Sequence, residues 1–194
     1  AHERGFGIVQ ALGLSGWIEV ALSLVLLDLA NYFWHRMNHR IPMLWAFHKV
    51  HHSDTDLDTL TSLRFHPGEF LFSFLYKTVC IVLVGPSMWS FGLFETLVTL
   101  AAQFHHANIA LPSSVEGSLR KFIITPKVHL AHHTVTPWSR NGNYSTILTL
   151  WDFIFGTFRI PEREDLTRLG LEDGRRHVLD FFFQLKAPFT KDYK

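Results

Sequence analysis

The chain has 194 residues and a formal net charge of +1; 47% of its residues are hydrophobic, 18% are charged, and 18 Phe and 6 Trp are among them. That length suits a single domain, residues 1–194, and the near-zero charge excludes a strongly electrostatic partner such as duplex nucleic acid. The surplus of apolar and aromatic side chains over an ordinary soluble domain points to lipid.

The chain begins at Ala1 without an initiator Met, as a processed protein or a fragment would, and residues 1–35 lack the basic start and cleavage site of a signal peptide. Residues 16–34 are apolar and long enough to cross a bilayer, which takes about 20 helical residues. Glu19 and Asp28 within this helix are costly in hydrocarbon and are expected to face the bundle interior or an interface. Asp28 lies two helical turns before His35, on the same helical face; it is either an outer partner of the first histidines or a plain hydrogen-bonded acid.

Residues 35–66 turn polar. Residues 69–84 then form a second apolar helix, Gly85-Pro86-Ser87 breaks it, and residues 88–110 rise as a third, with Cys80 an inert thiol in the apolar run. The turn between the second and third helices has no Lys or Arg, whereas Arg36, Arg40, Lys49 and Arg64 precede the hairpin and Arg120, Lys121 and Lys127 follow it. The positive-inside rule therefore puts both flanks in the cytoplasm. The expected fold is all-α: an integral membrane bundle of about three transmembrane helices under a cytosolic, histidine-rich helical cap. Trp17, Trp34, Trp45 and Trp89 near helix ends suit interfacial belts. Residues 144–158 are too short and mixed to span and are expected to form a helix or interfacial segment packing under the metal site, while residues 161–194 form a surface or interfacial tail.

Eight of the 13 histidines are bunched into three strings: HRMNH (His35, His39), HKVHH (His48, His51, His52) and HLAHH (His129, His132, His133). Neutral imidazole ligates zinc, iron, copper and nickel, and side chains three or four apart on a helix share a face. Eight nitrogens exceed what one ion uses, so two metals are the economical count. Glu19, Asp28, Lys77 and Glu95 do not line up as an ion path, which weighs against a transporter or other non-catalytic metal-binding protein. A bis-histidine haem protein would place its ligands within facing helices instead of in juxtamembrane clusters.

The order HxxxH, HxxHH, HxxHH resembles the fatty acid hydroxylase and sterol desaturase superfamily, in its bacterial sterol-desaturase-like branch. TSLRFHPGE at Thr61 to Glu69, FHHANIALP at Phe104 to Pro112, TPKVHLAHH at Thr125 to His133 and NYSTILTLWDFIFGTF at Asn143 to Phe158 extend the likeness over about residues 15–160. The resemblance implies a di-iron enzyme of the membrane that uses O2 to hydroxylate or desaturate a lipid, with zinc able to replace iron in preparations. It also implies a separate electron donor, a b-type cytochrome or a ferredoxin with its reductase, and a bacterial inner-membrane location with the site facing the cytoplasm. A carotenoid hydroxylase shares such motifs and is the nearest alternative. His106 matches the single histidine the family places after its third helix and joins the eight as an expected ligand. His105, on the other face, is expected to pack or to act from the outer layer, and Asn108 to hold water or cap the helix. Arg64, His66 and Glu69 are expected to form a polar network beside the site, with a ligand role for His66 the lesser reading. Asn143 and Asp152 belong to family elements; Asp152 either fixes a ligand imidazole, or caps a helix or pairs with Arg159. His2 and His177 stand outside any cluster.

Overall fold

The computed structural model describes residues 5–160, 165–171 and 180–190; His2 and His177 lie outside them. The described residues are helical, with no β-strand beyond isolated bridges at Ile123–Leu148 and Thr134–Leu169. A short α1 (Ile8–Ala11) leads into α2 (Gly16–Arg40), which runs six residues past its apolar stretch, so His35 and His39 project from its last turns. The helix stops because Pro42 forces the residue before it out of the α region: Ile41 is extended, and Pro42 opens α3 (Pro42–His48) at its first position. The same device starts α4 (Pro67–Val84), where His66 is extended ahead of Pro67 and its Nδ1 accepts from Gly68 N at 2.9 Å.

Gly85 ends α4 in the left-handed conformation (φ 70°), where a Cβ would also fall 2.3 Å from the Phe6 carbonyl. Ser87 then caps α5 (Met88–His106), four residues shorter than the expected third helix. Glu19 of α2 completes that cap. Its carboxylate accepts from Ser87 N (2.9 Å) and Ser90 Oγ (2.6 Å), so the acid expected to face the interior serves the N-terminus of a neighbouring helix.

α4 and α5 each pack principally on α2. Two of these helices, α2 and α4, are long and apolar enough to cross a membrane. Their outer faces expose large apolar side chains, among them Trp17, Phe74, Val79 and Leu83. Beyond α5 come α6 (Ser113–Leu119), α7 (Pro126–His132), α8 (Pro137–Arg140) and α9 (Leu150–Ile154). α7 packs against α5 and brings the last HxxHH to the ends of α2 and α3. From the far side α10 (Phe181–Lys186) closes over Val50, Leu171, Ala187 and Trp45.

The segment expected to lie under the histidines does so as a loop and one short helix. Asp28 Oδ2 accepts from Trp151 Nε1 (2.8 Å) and Leu148 N (3.2 Å), and Tyr144 and Trp151 pack with Tyr32 of α2. Of the tryptophans expected in interfacial belts, Trp17 and Trp89 are exposed. Trp34 instead stacks on Tyr76, and Trp45 packs on His39 and His52.

Candidate metal centre

All nine histidines expected as ligands converge, in two adjoining groups. His35, His39, His48, His52 and His132 form the first; His51, His106, His129 and His133 form the second; within each group one nitrogen per ring lies within 4.8 Å of every other. The partition follows helical geometry. Residues four apart sit about 40° apart around a helix and stay together, whereas an immediate neighbour is rotated by about 100°. Hence the pair 35/39 on α2 serves the first group and 129/133, at the end of α7, the second; 48/52, from the end of α3 and the 3-10 turn at His51–Ser53, also falls in the first, while the middle histidine of each HxxHH crosses over: His51 to the second, His132 to the first.

The backs of the rings are held by oxygens. His35 Nδ1 donates to the Tyr144 carbonyl (2.8 Å), His132 Nδ1 to Gly142 (2.7 Å), His51 Nδ1 to Thr61 (3.1 Å) and His106 Nδ1 to Ala102 (2.8 Å). His48 Nδ1 meets Glu69 Oε1 at 2.7 Å. A carbonyl can only accept, so in the first four rings the proton is on Nδ1 and Nε2 carries a bare lone pair. Yet His35 and His132 bring their Nε2 atoms within 2.9 Å of each other, and His51 and His106 within 3.3 Å. Facing lone pairs at that distance repel unless something positive lies between them.

A proton does not fill that role readily: burial pushes the imidazoles of His51, His52, His129, His132 and His133 well below the usual histidine range, and neighbouring rings push the same way. A metal ion fits. With nitrogens about 2.0–2.1 Å from an ion, adjacent donors lie about 3.0 Å apart at right angles and about 3.4 Å apart in a tetrahedron. The observed Nε2 separations, including 3.0 Å for His106–His129 and 3.2 Å for His129–His133, cover that range. Nε2 of His48 and both nitrogens of His39 and of His52 are buried without a hydrogen-bond partner among the described residues, which in a native interior signals a missing ligand.

The remaining expected residues fall around the groups. Glu69 holds His48. Asp152 does not touch an imidazole and does not pair with Arg159; its carboxylate accepts from Tyr144 N (2.8 Å), Ser145 N (2.9 Å) and Thr157 Oγ1 (2.7 Å). It therefore fixes the loop whose Tyr144 carbonyl orients His35. Asn143, in the left-handed region (φ 55°), clamps the same loop: Nδ2 donates to the carbonyls of Val128 (3.0 Å) and Arg159 (2.9 Å), and Oδ1 accepts from Arg159 N (2.7 Å). Asp28, committed to Trp151 and Leu148, steadies the far end of the segment instead of the first histidine pair.

His105 packs beside His129, ring centres 4.0 Å apart, outside both groups. Asn108 is exposed past the end of α5 and belongs to neither. The expected network of Arg64, His66 and Glu69 is dispersed: Arg64 pairs with Asp54 at 3.2 Å, and His66 caps α4 and donates from Nε2 to the Leu185 carbonyl at 3.1 Å. Both His66 nitrogens are thus used, which removes it as a ligand. The Gly142 and Tyr144 carbonyls had no expression in the motifs; the signals that could have found them are Gly142, where a Cβ would lie 2.6 Å from the Thr157 carbonyl, and the strained Asn143.

A cavity of about 330 Å³ runs from the groups into the helices, lined by His35, His48, His51 and His106 at one end and by Trp34, Phe70 and Val98 farther along. Two buried groups of imidazoles that could hold metal thus open into a largely apolar cavity between helices, two of which are long and apolar enough to cross a membrane. The comparison with known proteins agrees. Residues 20–157 match the fatty acid hydroxylase family, and the chain belongs to it. It is 30% identical over 173 residues to the ornithine lipid hydroxylase OlsE of Rhizobium tropici, covering 89% of this chain and 51% of that protein. It is 29% identical over 163 residues to the alkylglycerol monooxygenase of Homo sapiens (84% and 34%), and 29% over 158 residues to methylsterol monooxygenase 2-2 of Arabidopsis thaliana (79% and 59%). The chain thus spans about half or less of the length of most of these relatives. No solved structure matches it.

Proposed function

We propose that this protein oxidises a lipid with O2 at a pair of iron ions held by His35, His39, His48, His52 and His132 on one side and His51, His106, His129 and His133 on the other. The single observation that carries this reading is the cavity that joins both groups to the apolar helices. All of the donors are imidazoles; such sites also accept zinc, so zinc in a preparation does not argue against iron in cells. Bound there, the irons would supply the O2 activation that attack on an unactivated C–H bond requires and that no side chain can supply.

The chain's own residues do the rest. The Tyr144, Gly142, Thr61 and Ala102 carbonyls and the Glu69 carboxylate set the tautomers and aim the Nε2 atoms. Burial excludes water from the rings and holds the imidazoles of His51, His52, His129, His132 and His133 well below the usual histidine range, neutral and ready to ligate. Trp34, Phe65 and Phe70 present apolar surface along which an alkyl chain can lie.

In this reading α2, α4 and α5 all cross the bilayer, and α3 with α6 to α9 form a cap on the cytoplasmic side of a bacterial inner membrane, the whole acting as one domain. An amphipathic lipid as substrate is supported by the relatives named for ornithine lipids, alkylglycerols and sterols. Electrons come from a separate donor, a b-type cytochrome or a ferredoxin with its reductase. The test is mass spectrometry of lipids from cells with and without the protein: a species gaining one oxygen or losing two hydrogens is expected. An unchanged lipid profile with iron-loaded protein in the membrane would contradict the reading.

A further inference from the structure

A charged contact lies midway along the apolar helices, its two side chains about one-third exposed (32% and 37%). Lys77 Nζ of α4 donates to both carboxylate oxygens of Glu95 of α5, at 2.9 and 2.8 Å. In hydrocarbon such a pair loses solvation that its mutual attraction only partly restores, so its position calls for a reason other than stability. The pair is a bridge. α4 and α5 lean on α2 and leave a gap between them, and Lys77 and Glu95 span that gap.

The same gap is the cavity. One wall is a stripe at four-residue spacing on α4, Glu69, Ser73 and Lys77; the facing wall is Val98, Thr99, Ala102 and His106 on α5; Asn31 and Trp34 of α2 are its floor. Glu69 and His106 stand at the histidine end, and Lys77, paired with Glu95, lines the other. Lys77 follows Glu69 by two helical turns and Glu95 precedes His106 by three, so at ~1.5 Å per residue the slot is about 12–16 Å long. That is about half the ~30 Å hydrocarbon thickness: one leaflet.

We propose that the slot between α4 and α5 takes a single hydrocarbon chain of a lipid sideways from the bilayer, and that Lys77 with Glu95 forms the rung on which it ends. The rung sets how many carbons can extend beyond the histidine groups, which makes the two residues determinants of chain-length specificity. The inference rests on the lipid-oxidising reading and adds the part of the substrate that is measured.

The test uses the full chain in phospholipid vesicles, with lipids carrying a photoreactive diazirine at the end of one alkyl chain, competed by unlabelled lipids of about 10 to about 20 carbons. The wild type is expected to be labelled around Ser73, Lys77 and Thr99, with competition falling off beyond a defined length. In Lys77→Leu/Glu95→Leu, which replaces the rung by an apolar pair, that limit should lengthen by about four carbons, one helical turn of ~5.4 Å. The charge-swapped Lys77→Glu/Glu95→Lys rebuilds the rung and should restore the limit. Ser73→Phe, which fills the slot short of the rung, should shorten it, and it serves if the apolar pair fails to fold. Labelling confined to the outer faces of α4 and α5, or a length limit unmoved by these changes, would overturn the proposal. The two readings fail separately: an unmoved limit with oxidised lipid spares the enzyme, and labelled slot residues with no lipid oxidised by iron-loaded protein spare the slot.

Discussion

The first histidine group has five rings, two from α2, two from the end of α3 and the 3-10 turn after it, and one from α7; the second has four, one pair with two single rings. The difference extends to their supports. The first group is braced by the 142–144 loop and by the Glu69 carboxylate, the second by the Thr61 and Ala102 carbonyls alone among the bonds that reach Nδ1. Two groups that share the repeated HxxHH thus depend on different parts of the chain, and the motif itself straddles them. The lesson is that a histidine string is not a site: spacing by four keeps rings together, and adjacency splits them.

The crossover gives the largest expected effects. His132→Ala should weaken metal binding at the first group although its motif neighbours His129 and His133 belong to the second, and His51→Ala should weaken it at the second. Under competitive chelation each variant should lose one of its two ions well before wild type does and the other no earlier than wild type. If a single variant loosened both ions or neither, the partition would be wrong.

The loop comes next. Burial pushes the Asp152 carboxyl up, and hydrogen bonds from Thr157, Ser145 and Tyr144 pull it part of the way back. Asp152→Asn sets a side-chain donor against backbone N–H groups and is expected to cost about 1–3 kcal/mol of stability, read as a lower melting temperature in detergent. The loss of metal should fall first on the group containing His35 and His132.

The smallest effect is expected at Glu69. In Glu69→Gln an oxygen can still accept from His48 Nδ1, but the carboxylate charge is gone, so affinity at the first group should fall by about tenfold, the low end for removal of an outer partner, with the second group unchanged. Competitive chelation of both ions from wild type and variant separates these outcomes.

Much of this was legible in the sequence. The three apolar stretches, the break at Gly85-Pro86 and all nine converging imidazoles can be read from hydropathy, proline chemistry, motif spacing and a family likeness. The rest needed coordinates for physical reasons. Any residue type supplies a carbonyl, so nothing in the letters marks Gly142, Tyr144, Thr61 or Ala102 as the oxygens behind the rings. Buried acids read alike from sequence, yet Asp28, Asp152 and Glu69 find an indole with a backbone amide, a loop and an imidazole respectively. The Arg64–His66–Glu69 network failed because sequence proximity at a helix start hides direction: His66 turns to cap α4 while Glu69, one turn on, faces α3.

Everything rests on neutral imidazoles whose lone pairs face one another around positive charge. The most direct test is the metal content of the full chain produced with iron and purified without chelators, by elemental mass spectrometry against protein concentration. The two groups predict two ions per chain. A value at or below one, with all nine histidines intact and the protein folded, would contradict the account.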